Sequence, residues 1–400
     1  MPFPRLLRTL SCLSLLSLAA VFPLAAQEPE PVGAQLDELH VVETVDYDFE
    51  HGGGSLLSVL LSADGEQLLN VNRGEFCVYT AAGAEVSCAG LQEIRYDPAS
   101  LRWSPDGRYV AFVDDRPFIN FRDSDIWVLD TQTGIFTNLT DDGDLPSILD
   151  TIVNDDLVGP FAPIDLAPRF SADGQLYFLR IEQIGTEIGG TLYRIPASGG
   201  SAEQLAVLTP NVRGDGYPYD WDIAPDGQTG VYVIGTSRQD TLRRVDLATG
   251  NTVLLHTIDR ETEVGVASIE FSPRGDVVLW HSQALARLRG TDEGIRYAFL
   301  TTLNGETFPA SISPFATYFG WSFDGTALAY TVYDPQNPDR NGLYLGLPGK
   351  EGLRIATADD PEAPLTSTRF PVGMFWGANN TILLAEGFGQ SVFTLWLGTE

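Results

Sequence analysis

"LRWSPDGRYVAF", residues 101–112, sets two short apolar runs on either side of a polar turn. Pro presets φ for a turn, Asp accepts hydrogen bonds from nearby backbone N–H groups, and Gly supplies the φ > 0 position. The stretch therefore reads as a β-hairpin. Nearly the same hairpin recurs as "LLSADGEQLL", "RFSADGQLYF", "DIAPDGQTGVYV", "EFSPRGDVVLW" and "GWSFDGTALAY". The turn glycines, Gly65, Gly107, Gly174, Gly227, Gly275 and Gly325, are spaced by 42, 67, 53, 48 and 50 residues. A constant core at unequal spacing is a repeated unit with variable connections. A seventh copy, "MFWGANNTILLA", carries Asn379-Asn380 in place of Asp-Gly.

The second copy shows the whole unit. "LRWS", "YVAFVDD", "DIWVLDT" and "IFTNLT" are strands, separated by turn residues where hairpins need them. The strands are apolar on both faces, as in a sheet packed between two neighbours. Four-stranded antiparallel units of this length, packed face to face around an axis, make a β-propeller. The last copy has three strands, and an orphan strand, "LHVVETVDYDF", precedes the first copy. The expectation is an all-β, seven-bladed β-propeller in which the N-terminal strand, around residues 41–49, completes the last blade and leaves no open edge. Six blades is the alternative, if the seventh copy is not a blade.

The run "WSPDGRYVAFVDDR…DSDIWVLDTQTGIFTNLTDD" resembles the TolB-like propeller repeat, through Trp103, Ser104, Pro105, Asp106, Gly107, the later "DIWVLD", Thr133-Gly134 and Leu139-Thr140. The likeness covers six or seven units and implies a fold more than a function. Similar repeats occur in the propellers of prolyl-oligopeptidase-type enzymes. Those carry a hydrolase domain with a G-x-S-x-G nucleophile elbow, and this chain has no such pentapeptide. TolB has an α/β domain before its propeller; with only a short linker expected before the first strand here, the likeness is expected to be one of propeller repeat.

The chain has 54 acidic and 24 basic side chains and a net charge of −30. That excludes nucleic acid as a partner, since phosphate binding needs a basic surface. Arg5 and Arg8 precede an uncharged run, residues 9–26, that ends in small residues. This reads as a secretory signal peptide cleaved after Ala26, with a linker over residues 27–36 and one propeller domain over residues 37–400. The expected location is periplasmic or secreted, and the mature chain is expected not to span a membrane. In that setting Cys77 and Cys88 are expected to form a disulfide. The hairpin "CVYTAAGAEVSC" would pair Cys77 with Cys88 and Tyr79 with Val86.

Chemistry is sparse. His51, His256 and His281 have no second His or Cys at metal-ligand spacing, and no nucleophile stands beside an evident base. No cofactor is expected. Two stretches are candidates for Ca²⁺: "NPDRNG", where Asn337, Asp339 and Asn341 alternate before Gly342 although the twelfth position is Pro348 rather than Glu, and the aspartates of "DDRPFINFRDSD", residues 114–125. One row is unusual. Aligned on the innermost strands, equivalent positions read Leu60, Arg102, Arg169, Asp222, Glu270, Gly320 and Phe375. Arg102, Arg169, Asp222 and Glu270 are thus expected to form a polar ring in the central channel, paired between blades, as Arg169 with Asp222.

The Asp-Gly and Thr-Gly turns of one face are short, whereas residues 114–124, 141–168, 181–190, 283–294 and 333–342 read as long loops of the other. Function concentrates on such loops. The leading expectation is therefore binding of a protein, or of an envelope or extracellular ligand, through the long-loop face, with Arg213, Tyr217, Tyr219, Asp220 and Asp165 as candidate contacts. The rival is a lyase or hydrolase with its site at the channel mouth. Two carboxylates and an Arg within ~5 Å there would favour the enzyme.

Overall fold

The computed structural model describes residues 31–47, 59–72, 74–91, 96–114, 124–143, 145, 148, 159, 161–261, 265–282, 298–334, 336–357, 371–386 and 392–399. The strands form seven four-stranded antiparallel sheets, arranged as a seven-bladed propeller. The innermost strands of blades one to seven are Val59–Leu61, Arg102–Trp103, Ile164–Phe170, Tyr217–Ile223, Val266–Phe271, Ala316–Trp321 and Pro371–Trp376. Six blades take their strands in sequence order. The seventh is completed by the N-terminal strand His40–Tyr47, which pairs with Val392–Gly398 at the end of the chain.

The turn that opened the reading shows why it repeats. Ser104 Oγ donates to Asp106 Oδ1 at 2.6 Å, and the same carboxylate oxygen accepts from Arg108 N at 3.1 Å. Tyr109 N then donates to Ser104 Oγ at 2.8 Å, so two short side chains satisfy the backbone where the strand reverses. Ser62 with Asp64 and Ser322 with Asp324 repeat this network. Gly107 has φ 68°, and in the seventh copy Asn380 takes φ 59° in its place. Asn tolerates that region better than other non-glycine residues, which is how the seventh copy keeps its turn.

Each blade buries both faces. Leu68, Leu69, Val110, Phe112, Leu176, Phe178, Val231, Val233, Leu279, Leu328, Leu383 and their neighbours are wholly buried between adjacent sheets. Such burial contributes roughly 25 cal/mol per Å² and sets the order of the blades. The segment before the first strand is docked as well. Val32 N donates to Asp324 Oδ2 at 2.8 Å and Gly33 N to Thr326 Oγ1 at 2.9 Å, with Val32 only 6 % exposed. The expected linker over residues 27–36 is therefore corrected from Pro31 onward: its end is packed against the tight turn of blade six.

Cys77 and Cys88 are joined, and they face each other across the pair Glu75–Thr80 and Glu85–Gly90. The expected partner of Tyr79 is corrected from Val86 to Glu85, because the register shifts between Val78 and Tyr79. A further expectation is corrected at residues 181–190. Two long strands, Gln175–Ile184 and Glu187–Pro196, run through this stretch and meet at Gly185 with φ 65°. Its mixed polarity is the alternation of a two-stranded extension, read as a loop. Of the other stretches expected as long loops, residues 115–123 of 114–124, residues 149–158 of 141–168 and all of 283–294 lie outside the described residues, and the end of 141–168 is corrected to strand from Ile164.

Removing residues 1–47 strips the completing strand and bares the edge of Val392–Gly398. The truncated protein is expected to aggregate and to melt at lower temperature than the full chain, read by light scattering and calorimetry. The Cys77–Cys88 bond closes a loop across a sequence separation of only 11, so its reduction is expected to cost no more than ~2–3 kcal/mol in urea unfolding.

Candidate functional site: the central channel

The innermost strands surround a cavity of about 1110 Å³. Six of the seven aligned row positions line it: Leu60, Arg102, Arg169, Asp222, Glu270 and Phe375. The lining reaches the tight turns at Ala63, Pro105, Ala172, Pro225 and Pro273, and the opposite strand ends at Ala99, Ala167 and Ala267. The charges are one-sided. Blades two to five supply Arg102, Arg169, Asp220, Asp222 and Glu270 among the aromatics Trp103, Phe170, Tyr219 and Phe271, while the lining from the innermost hairpins of blades six, seven and one carries no charge and includes Phe319, Phe323, Met374, Phe375 and Leu60.

A local device shapes this wall. The innermost strands of blades three to seven each hold one residue more than the partner strand, at the shifts Leu166/Arg169, Pro218/Asp220, Val266/Ser268, Thr317/Gly320 and Pro371/Gly373. Such bulges re-aim side chains. Ala167, Tyr219, Ala267 and Tyr318 sit at four of them and line the cavity. Ala167 and Tyr318 both take φ 52°, a conformation uncommon for residues with a Cβ.

The ion pairs are specific. Arg169 Nη2 donates to Asp220 Oδ1 at 2.9 Å, and Arg169 Nε lies 3.4 Å from Asp222 Oδ1. Asp220 Oδ2 accepts from Ile269 N at 2.8 Å, and Asp222 Oδ2 from Phe271 N at 2.7 Å. One side chain of blade three thus holds two carboxylates of blade four, which hold the backbone of blade five. The cluster of two carboxylates and an arginine that would favour an enzyme is present, but its oxygens are already occupied by Arg169 and backbone N–H groups. It staples blades.

Arg102 and Glu270 are different. Arg102 Nη1 donates to the carbonyls of Ala99 at 3.0 Å and Leu101 at 2.7 Å. Burial and the nearby Arg169 lower its pKa to about 10. Glu270 opens onto the channel lumen, yet protein surrounds that lumen; desolvation, then the Asp222 charge, push its pKa up to about 7. Desolvation also raises Asp222.

Sequence reasoning missed one contact. Ser268 Oγ and His281 Nδ1 lie 3.0 Å apart, directly opposed across the hairpin of blade five, and both line the cavity. Counting the register outward from Gly275 would have paired them. Burial lowers the His281 pKa to about 4, so the ring is neutral at pH 7 and a weak base. General bases work best with a pKa near the working pH, so this pair suits hydrogen bonding better than proton abstraction.

The other expected contacts are scattered. Arg213 is exposed on a helical turn, Val212–Asp215, capped by Asn211. Tyr217 packs against the core between blades three and four, and burial raises its pKa. Tyr219 Oη donates to Val266 O at 3.1 Å across to blade five. Asp165 is corrected as a partner contact: it is 0 % exposed, and Arg180 grips both oxygens at 2.6 Å. Desolvation still raises its pKa to about 6. In the Ca²⁺ candidate loop, Asn341 Oδ1 accepts from Asp334 N at 2.6 Å, and Asn337 N donates to Asp334 Oδ1 at 3.1 Å. Those side chains shape the loop itself. Among the described residues, the His, Cys, Asp and Glu groups close enough to share an ion are Glu75, Cys77 and Cys88, two of which are spent in the disulfide.

No family model matches the chain, and no curated protein matches it. Solved structures do. An oligogalacturonate lyase in complex with manganese is 12 % identical, over 90 % of each chain, with a TM-score of 0.55. The oligogalacturonate lyase of Vibrio parahaemolyticus is also 12 % identical, over 89 % of this chain and 97 % of that one, with a TM-score of 0.55. TolB from Acinetobacter baumannii is 17 % identical over 62 % of this chain and 52 % of its own, with a TM-score of 0.40. The lyase likeness, at this identity, is one of fold.

Arg169→Met should leave Asp220 and Asp222 without their cation. Breaking such a pair from one side costs about 3–5 kcal/mol, to be read from urea unfolding. Glu270 gives a pH signature. Its folded pKa of about 7 lies above the ordinary 4.5, so between those values the folded state keeps a proton that the unfolded chain has lost. That contribution to stability is complete below pH 4.5 and is lost as pH rises through 7. Glu270→Gln should therefore gain on the wild type in urea midpoint between pH 5 and pH 8; an unchanged difference would refute the burial argument.

Proposed function

We propose that this chain is an exported binding propeller that takes its ligand, an envelope or extracellular molecule, into the central cavity. The observation that carries this is the wall of the 1110 Å³ channel, rich in apolar and aromatic side chains all round, with its few charged groups gathered on blades two to five. Binding sites have that make-up: mostly apolar lining with few oriented polar groups. Binding is favoured over catalysis because the Arg169 cluster is saturated and His281 is too weak a base. Export is supported by the basic start and apolar run at the N-terminus together with the Cys77–Cys88 bond. Among the described residues no helix is long and apolar enough to cross a membrane.

The test uses the fluorescent apolar probe anilinonaphthalene sulfonate on the full chain. Phe323→Glu and Phe375→Glu, on the cavity wall, should weaken probe binding about 5-fold or more. Leu353→Glu, on an exposed outermost strand, should leave it unchanged. If Leu353→Glu removes the signal while the two lining substitutions are silent, the cavity is not the site.

A further inference from the structure

We propose that the central cavity takes a zwitterion with an apolar body, its ammonium at Glu270 and its carboxylate at Arg102; this rests on the cavity being the ligand site.

The first argument is charge left over. Of the ring, Arg169 and Asp222 are spent on each other. Neither Arg102 nor Glu270 has an ion partner within 4.0 Å among the described residues, and Glu270 accepts no hydrogen bond from them. Arg102 uses one terminal nitrogen on two backbone carbonyls, which leaves Nε and Nη2 as donors. The two groups stand on blades two and five, and each feels the charge of the other.

The second argument is what a single charge would meet. A cation alone at Glu270 would meet the field of Asp222 but also those of Arg102 and Arg169, and would leave the Arg102 charge without a partner. An anion alone at Arg102 would sit in the field of Asp220, Asp222 and Glu270. Only a ligand carrying both signs finds each charge complemented, which is specificity by rejection of the alternatives. The aromatic arc of Phe319, Phe323 and Phe375 then receives its apolar part, by stacking and burial. A free amino acid with a large apolar side chain and a short peptide with free ends share this chemistry.

The third is pH. Glu270 must be ionised to hold an ammonium. The groups that set its ionisation are Asp222, which opposes it, and Arg102 and Arg169, which favour it; His281 on the adjoining strand stays neutral. Arg102 keeps its charge at neutrality. Binding should therefore strengthen from pH 6 to pH 7.5.

Titration calorimetry on the full chain tests this with L-phenylalanine and the tripeptide Phe-Ala-Phe, each also as its N-acetyl and C-amide derivative. At least one zwitterion should bind, and the two arms tell amino acid from peptide. Capping either end should weaken binding about 10- to 100-fold, the worth of a charged hydrogen bond. Glu270→Gln should erase the penalty of acetylation and keep that of amidation. Arg102→Gln should do the reverse, while Arg102→Lys, which preserves the charge and guards against misfolding, keeps both penalties. Equal binding of capped and free forms, or penalties that do not exchange between the variants, overturns the proposal. If no zwitterion binds at millimolar concentration while the lining substitutions still weaken the fluorescent probe, the ligand class is wrong and the cavity reading stands. If the probe ignores those substitutions too, both fall.

Discussion

The pairing of His40–Tyr47 with Val392–Gly398 is the constraint on which the rest of the molecule depends. Among the described residues every other strand pair within a sheet joins chain neighbours. This one joins the two ends and converts a row of blades into a ring. It is reinforced where blades seven and one meet. Tyr47 Oη bonds Thr394 Oγ1 at 2.9 Å and donates to Ala81 O, so one phenol ties the first strand, the last strand and a turn of blade one. Ala378 N donates to Ala63 O at 3.0 Å, and a Cβ on Gly377 would come within 2.4 Å of Gly65 Cα. The two turns pack too closely for any side chain there. A channel exists only because this seam holds, since an open row of blades would splay and have no common axis.

Charge solves a second problem of closure. Innermost strands converge on an axis, and only small or paired groups fit where they crowd. The protein, with a net charge of −30, still spends two arginines in its channel. Arg169 is 7 % exposed, a burial that needs compensation from both of its carboxylates. Those carboxylates, in turn, accept the N–H groups of Ile269 and Phe271. The polar half of the channel is thus held by directional bonds. The opposite half, through Phe319, Met374 and Phe375, is held by packing.

How much of this was legible in the sequence follows the repeat. The turn network of Ser104 and Asp106 uses local hydrogen bonds, so residues 101–112 alone disclose the hairpin, and repetition discloses the propeller. The ring positions were legible for the same reason, since alignment of copies substitutes for coordinates. Features that break local rules were not. The register shift at Tyr79 arises from a bulge, which changes pairing without changing composition. Asp165 lies in the stretch read as the longest loop, but the innermost strand of blade three begins at Ile164, one residue earlier, and sets Asp165 directly opposite Arg180 in the first hairpin of the blade. Ser268 and His281 lie on the turn side of the bulge, so their pairing was legible by counting outward from Gly275, but that they form a hydrogen bond facing the channel is a matter of side-chain geometry.

Repetition also separates the residues that serve the fold from those that serve the site. A position filled alike from copy to copy answers a demand that every blade shares, as the turn position does with glycine in six copies and Asn380, at the same positive φ, in the seventh. A position filled differently at equivalent places is free of that demand. The ring row is the clearest case: Leu60, Arg102, Arg169, Asp222, Glu270, Gly320 and Phe375 occupy one structural place with apolar, cationic, anionic and absent side chains. The bulge row behaves in the same way, with Ala167 and Ala267 small, Tyr219 and Tyr318 large. Two rows that vary in step around one axis give the channel an asymmetric wall from a symmetric scaffold. Symmetry alone would build seven equal faces and could recognise only a symmetric object. The variation breaks that equivalence at the one surface every blade reaches, and the channel is thereby the place where this fold can distinguish one molecule from another.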